Sequence, residues 1–173
     1  MMAASFLWSR RLRGWRCCIV VIVVATMALA GRSMAQSPPP VEFPISTLTI
    51  ESGGARHSFV IEVATTPAQH ARGLMYRQAL QPDHGMLFVY PKADYVMMWM
   101  KNTYIPLDMV FVDDSGKIAG IAADTMPLST DIIPSPGAVK AVIEFAAGTA
   151  QRLGIHEGDR VNYPEVAGSK DSK

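Results

Sequence analysis

From Ile45 onward the chain switches repeatedly between two hydrophobic periods. Ile45–Glu51 and Ser58–Ala64 alternate apolar and polar positions, the period of a half-buried strand, and Ser52-Gly53-Gly54 between them predicts a hairpin turn. At Thr66-Pro67-Ala68-Gln69 the pattern changes. A capping residue, proline at the first helical position and glutamine at the third predict a short helix, and Gly73 predicts its end. Met86–Tyr90 and Tyr95–Met100 are apolar at successive positions, predicting two strands buried on both faces. Leu107–Val112 and Lys117–Ile121 flank Asp113-Asp114-Ser115-Gly116, a second hairpin turn. Ala122–Gly137 contains Pro127, Pro134 and Pro136 and reads as a long connection. A strand over Val139–Phe145, one helical turn over Thr149–Leu153 ended by Gly154, and a strand over Val161–Val166 complete the pattern. Many short strands with one or two short helices predict a mainly β fold, a small closed or partly open β-barrel.

The first 35 residues have a different character. Arg10, Arg11, Arg13 and Arg16 precede an uncharged run from Cys17 to Ala30, and Ser33-Met34-Ala35 supplies small residues at the two positions a signal peptidase reads. Cleavage is expected after Ala35, with Ala30 as the rival site. The uncharged run is shorter than the roughly 20 residues a membrane-spanning helix needs. Ser9-Arg10-Arg11 hints at twin-arginine export, although Arg13 stands where that signal wants an apolar residue. Residues 36–44 then read as a Pro-rich spacer, 45–166 as a single domain, and 167–173 as a polar, disordered tail.

Cleavage would change both composition and charge. Five arginines leave with the signal (Arg10, Arg11, Arg13, Arg16, Arg32), turning a chain of net +1 into one with eleven basic and fifteen acidic residues, net −4. Such a surface argues against nucleic acid, whose phosphates need a basic face, and nothing marks a membrane-binding helix. Cys17 and Cys18 leave as well, removing any disulfide, thiolate nucleophile or thiolate metal ligand. The expected destination is the periplasm or the medium.

The central stretch resembles a bacterial and archaeal family, the domain of unknown function number 192. The matching residues are Arg72-Gly73-Leu74-Met75, Arg77, Gly85-Met86-Leu87-Phe88, Trp99-Met100-Lys101-Asn102-Thr103, Ile105-Pro106-Leu107-Asp108 and Asp114-Ser115-Gly116. Glu144, Gly148 and Gly158-Asp159-Arg160-Val161 fit the closing pattern, so the resemblance spans roughly Leu48 to Val166. Met98 departs from it, since an aromatic residue often precedes the tryptophan. The resemblance implies a small barrel-like domain, often exported, and no established reaction.

The segment Trp99–Asp108 carries the most unusual chemistry. On the strand period Trp99, Lys101 and Thr103 share a face, and Asp108 opposes the face of Leu107, Met109 and Phe111. A carboxylate among apolar residues needs a partner, for which Lys101, Arg77 and backbone amides are the candidates. The expected binding rim is therefore Arg77, Trp99, Lys101, Asn102, Thr103 and Asp108; the alternative is a hydrogen-bonded turn that sets strand register. No catalytic residue, metal ligand or cofactor is assigned. The expected partner is a small ligand or an envelope protein. An acid–base enzyme using Lys101 with Asp108, or Glu144, is the alternative. Glu144 shares its strand face with Lys140 and Val142, which suggests the more exposed, solvated side. Seven methionines and four scattered histidines raise copper handling as a further alternative, but thioethers also fill irregular cores.

Overall fold

The computed structural model describes residues 41–164. The expected signal and its cleavage site, the spacer up to residue 40, the end of the Val161–Val166 strand and the tail lie outside those residues. Nine elements follow one another: β1 (Ile45–Ser52), β2 (Ala55–Ala64), α1 (Pro67–Arg72), β3 (His84–Met98), β4 (Leu107–Val112), β5 (Ile118–Thr125), β6 (Ile133–Ala146), α2 (Thr149–Leu153) and β7 (Arg160–Asn162). The strands form a seven-stranded sheet in the order β5-β4-β6-β3-β2-β1-β7, curled into a partly open barrel. Its two edges meet at one end, where Ile118 N donates to Asp159 O (2.9 Å) and Val161 N donates to Gly116 O (2.8 Å). No described helix is long and apolar enough to cross a membrane.

All pairings but one are antiparallel. β2 and β3 run parallel, which obliges the chain to cross back between them, and α1 lies on that crossover. The helix begins as its sequence predicts. Thr66 Oγ1 accepts from Gln69 N (3.3 Å), while Gln69 Oε1 accepts from Thr66 N (3.0 Å). Gln69 Nε2 also donates to Glu42 O (2.8 Å), and Phe43 packs against the core, so residues 42–44 are drawn onto the domain.

The sheet buries apolar residues on both faces. Leu48, Ile50, Phe59, Ile61, Leu87, Val110, Val112, Ile143 and Phe145 belong to one cluster, which α2 covers through Ala150. Leu74, Met86, Phe88, Val96, Met98, Met100, Leu107, Met109, Phe111 and Val142 form the other. Every residue of β4 is buried. At the centre β3 and β6 approach so closely that a Cβ on Gly85 would lie 2.7 Å from Glu144 O and 2.8 Å from the Phe145 ring.

Three expectations need correction here. Met86–Tyr90 and Tyr95–Met100 belong largely to one strand, β3, whose register shifts between Val89 and Asp94, around Pro91; such a bulge lets the strand bend without ending. The outer part is not buried on both faces. Val96, Met98 and Met100 are inside, while Tyr95, Met97 and Trp99 stand exposed. Ala122–Gly137 is likewise not one long loop. β5 runs to Thr125 and β6 starts at Ile133, leaving residues 126–132 as the connection. Pro134 and Pro136 are tolerated in β6 because the ladder beside them is irregular, with a register shift between Tyr95 and Met97.

Candidate functional site

α1, the outer part of β3 and the turn that follows it stand apart over the Glu144 face of β6 and leave a cavity of about 470 Å³ between them. Its walls follow from local geometry. Gly73 closes α1 at φ 45°, directly against Phe88, whose ring would be 3.2 Å from a Cβ at this position; the tight exit turns Leu74 into the core. On the opposite side Asn102 takes a left-handed backbone (φ 58°), and its carbonyl accepts from Tyr76 N (2.8 Å). That bond ties the turn after β3 to the segment after α1. Asparagine tolerates this conformation better than most residues do.

The floor is Glu144. It is 4 % exposed and pairs in register with Met86 and Met109, both fully buried. Residues directly opposite across a ladder share a face, so the carboxyl is flanked by thioethers rather than donors. Among the described residues no hydrogen bond or ion pair reaches it. Burial alone pushes its pKa up to about 8, because the charged form has lost its water without gaining a partner. Tyr90 lines the same cavity, and its pKa rises to about 12, first through burial and then through the neighbouring Glu144 charge. Its hydroxyl donates to Met98 Sδ (3.8 Å). The His70 ring lies 4.9 Å from Tyr90 and 5.9 Å from Phe88 between centroids. His70 Nε2 is 3.0 Å from the Ala64 carbonyl, which can only accept, so Nε2 carries a proton.

The mouth is aromatic and mixed in charge. Lys101 Nζ sits 5.1 Å from the Trp99 ring centroid, and the Arg72 guanidinium 4.8 Å from that of Tyr76. Tyr95, Met97 and Asp94 complete the rim.

The expected rim is thus divided. Trp99, Lys101 and Thr103 all line the cavity, but from the turn that follows β3 and not from one face of a strand, because β3 ends at Met98. Asn102 donates to Met75 Sδ (3.8 Å) and holds the turn. Arg77 lies outside the cavity, paired with Glu62 at 2.6 Å. Asp108, 1 % exposed, is on the other face of the sheet, where it accepts from Asp124 N (3.0 Å) and Ala150 N (2.9 Å). Its partners are backbone amides, and it anchors α2 to β4. Glu144 does share a face with Lys140 and Val142, but the expectation that this side is solvated is wrong, because α1 and the outer part of β3 cover it.

The methionines do not converge on one point. The sulfurs of Met75, Met98 and Met100 take hydrogen bonds from Asn102, Tyr90 and Thr125, while Met97 faces outward. No group of three or more His, Cys, Asp or Glu side chains fit to hold a metal ion occurs among the described residues.

Residues 48–163 match the model of a protein family, DUF192, described as "Uncharacterized ACR". The chain belongs to the DUF192 family. No curated protein matches it. Two solved structures resemble it along nearly their whole length. One, from Sinorhizobium meliloti 1021 and described as "a putative transcription regulator", is 42 % identical, with a TM-score of 0.70, covering 72 % of this chain and 97 % of its own. The other, a protein of unknown function from Novosphingobium aromaticivorans DSM 12444, is 37 % identical with a TM-score of 0.68, covering 74 % of this chain and 95 % of its own. Part of the set that carries the DUF192 resemblance lines the cavity, namely Arg72–Met75, Phe88, Trp99, Lys101, Thr103 and Glu144.

His70 and Tyr90 line the cavity although the sequence reading gives neither a role, and Glu144, weighed there as an acid–base alternative, is placed by it on the solvated side. For Glu144 a signal does exist. Val139–Phe145 is apolar on both faces apart from Lys140 and Glu144, the pattern of a central strand whose rare charges are buried.

Proposed function

We propose that this DUF192 protein is an exported module of the cell envelope that binds a small ligand in the cavity between α1, β3 and β6 and does no covalent chemistry on it. The observation that carries this reading is Glu144, a buried residue whose carboxyl has no protein partner among the described residues and lines a cavity walled by Phe88, Tyr90 and His70. A carboxyl largely removed from water and without a protein partner is costly, and a ligand that hydrogen-bonds to it through the cavity offsets that cost. About 470 Å³ falls within the roughly 300–1,000 Å³ of small-molecule sites. Export is supported by the basic, apolar and small-residue segments of residues 1–35. A role in transcription, suggested by the description of the Sinorhizobium protein, finds no support in the net −4 charge left after signal removal.

One observation favours a second reading. Glu144 and Tyr90 are two convergent groups with shifted pKa values in one cavity, and a carboxyl near pH 8 is poised for proton transfer. At neutral pH both groups hold their protons, Tyr90 at about 12 more firmly than Glu144 at about 8, so Glu144 would be the group that gives up and takes back a proton and Tyr90 a hydrogen-bond donor. Binding is the simpler use of this arrangement, because it asks of the pair only a hydrogen bond or an ion pair.

A thermal-shift screen of the purified protein against sugars, nucleotides, metals and peptidoglycan fragments tests the first reading. The expected result is a ligand that raises the melting temperature of the wild type and does so much less for Trp99→Ala, a change at the exposed mouth. Ligands that stabilise both proteins equally bind elsewhere, and that result removes the proposed site.

A further inference from the structure

We infer that the ligand of this cavity is an organic cation, an ammonium group paired with the Glu144 carboxylate and carrying a small apolar body between Phe88, Tyr90 and His70. The inference rests on the small-ligand reading above and names the chemical class. Three features point to positive charge.

First, the floor is acidic and no cation among the described residues pairs with it. Lys140, on the same face of β6, could have been the counter-ion. Its Nζ instead donates to Tyr90 O (2.7 Å) and Pro91 O (2.8 Å), held by the bulge of β3. Arg72 and Lys101 are likewise occupied at the mouth, over Tyr76 and Trp99. Second, the walls offer ring faces, and the negative face of an aromatic ring attracts ammonium groups. The Lys101–Trp99 contact is an example of this pairing at the entrance. Third, a carboxylate left without a counter-ion at a site poor in water is costly, and a cation seated beside it in good hydrogen-bonding geometry offsets part of that cost. An anion would find Lys101 and Arg72 near the mouth but only Glu144 at the floor.

The titratable and charged groups facing the cavity are His70 and Arg72 from α1, Tyr90, Asp94 and Tyr95 from β3, Lys101 from the turn, and Glu144 from β6, with Lys140 beside it. Without a ligand, Glu144 holds its proton at neutral pH, since its pKa is about 8. A cation that pairs with the carboxylate must release that proton. Binding is therefore proton-linked, and affinity rises about tenfold per pH unit below pH 8 and levels off above it. At pH 7 the proton weakens binding only about tenfold.

Benzylammonium and benzyltrimethylammonium, with benzyl alcohol and benzoate as neutral and anionic counterparts, are suitable probes for titration calorimetry between pH 6 and 9. Buffers of different ionisation enthalpy report the proton count. The expected result is that the two cations bind, release about one proton each at pH 7, and gain affinity with pH up to about 8. Glu144→Gln binds them at least tenfold more weakly and loses the pH slope, while His70→Gln keeps it. The slope and proton release of the wild type are read without any variant. Benzyl alcohol or benzoate binding as tightly as the cations, or cation binding without proton release, would falsify the assignment while leaving the cavity a ligand site. If no probe binds but the thermal-shift screen yields a ligand sensitive to Trp99→Ala, the cation class is overturned and the small-ligand reading stands. If neither experiment yields a ligand, both are lost.

Discussion

Two carboxyl residues, Asp108 and Glu144, are buried in the described part of the sheet, and their surroundings could hardly differ more. Asp108 accepts two backbone N–H groups and holds α2 against β4, whereas Glu144 has methionines on either side in the ladder. One is a structural anchor and the other an unmet demand. The consequence for stability can be signed. The folded state raises the Glu144 pKa from 4.5 to about 8, so it keeps a proton that the unfolded chain gives up. Stability from this group is fully present below about pH 4.5 and is lost progressively as pH rises through 8. Asp83 and Asp113, whose pKa values are lowered, give the opposite slope only in the acid range. Urea denaturation from pH 5 to 9 should show wild-type stability falling by an amount of the order of a few kcal/mol. Glu144→Gln, which cannot ionise, should flatten that fall and be the more stable protein at pH 9; a variant with the same slope as the wild type would assign the slope to other groups. Lys101 shows how far residue-level reading extends. The sequence put it on a strand face with Trp99 and Thr103, whereas it stands in the turn after Met98 with its charge over Trp99 instead of beside Asp108.

The elements divide along β3. Its inner half, from His84 to Val89, packs on both faces, while beyond the bulge the strand alternates between inside and outside. Local signals were strong where a short motif satisfies its own backbone: the Thr66–Gln69 capping box and the Ser52-Gly53-Gly54 and Asp113–Gly116 turns all form as their residues dictate. They were weak where pairing comes from afar. Pro134 and Pro136 read as a loop, and only the irregular ladder with the outer part of β3 makes them part of a strand. Gly85 belongs to the same class of distant effects. Nothing nearby in sequence explains it, yet Glu144 O and the Phe145 ring occupy the space a side chain would need. Gly85→Ala should force β3 and β6 apart and destabilise the domain by about 1–3 kcal/mol, seen as a lower urea midpoint. An unchanged midpoint would mean that the two strands have slack the geometry does not show. Since Glu144 sits at that contact, the substitution should also weaken ligand binding.

At the scale of the molecule the sheet separates two cores, one closed by α2 and the other by α1 and the turn after β3. Stability should not be uniform across them. Strands packed on both faces, such as β4 and the inner part of β3, have amides that open only with the whole domain, whereas the outer β3–β6 ribbon has one bare face of Tyr95, Met97 and Trp99. Native-state hydrogen exchange should find amides of residues 85–89 and 108–112 the slowest and those of 95–98 and 133–138 faster, with opening of the ribbon also opening the cavity. Equal protection in both regions would mean that the ribbon opens only with the whole domain. The hairpins, the capped helix and the mainly β class were determined by the sequence alone, because each depends on residues a few positions apart. Curling of the sheet, coverage of the Glu144 face and separation of Asp108 from Lys101 were decided by the tertiary structure. A strand's two faces are legible as a period, but which face is buried, and whether a charge there finds a partner, depends on elements tens of residues away that pack across it.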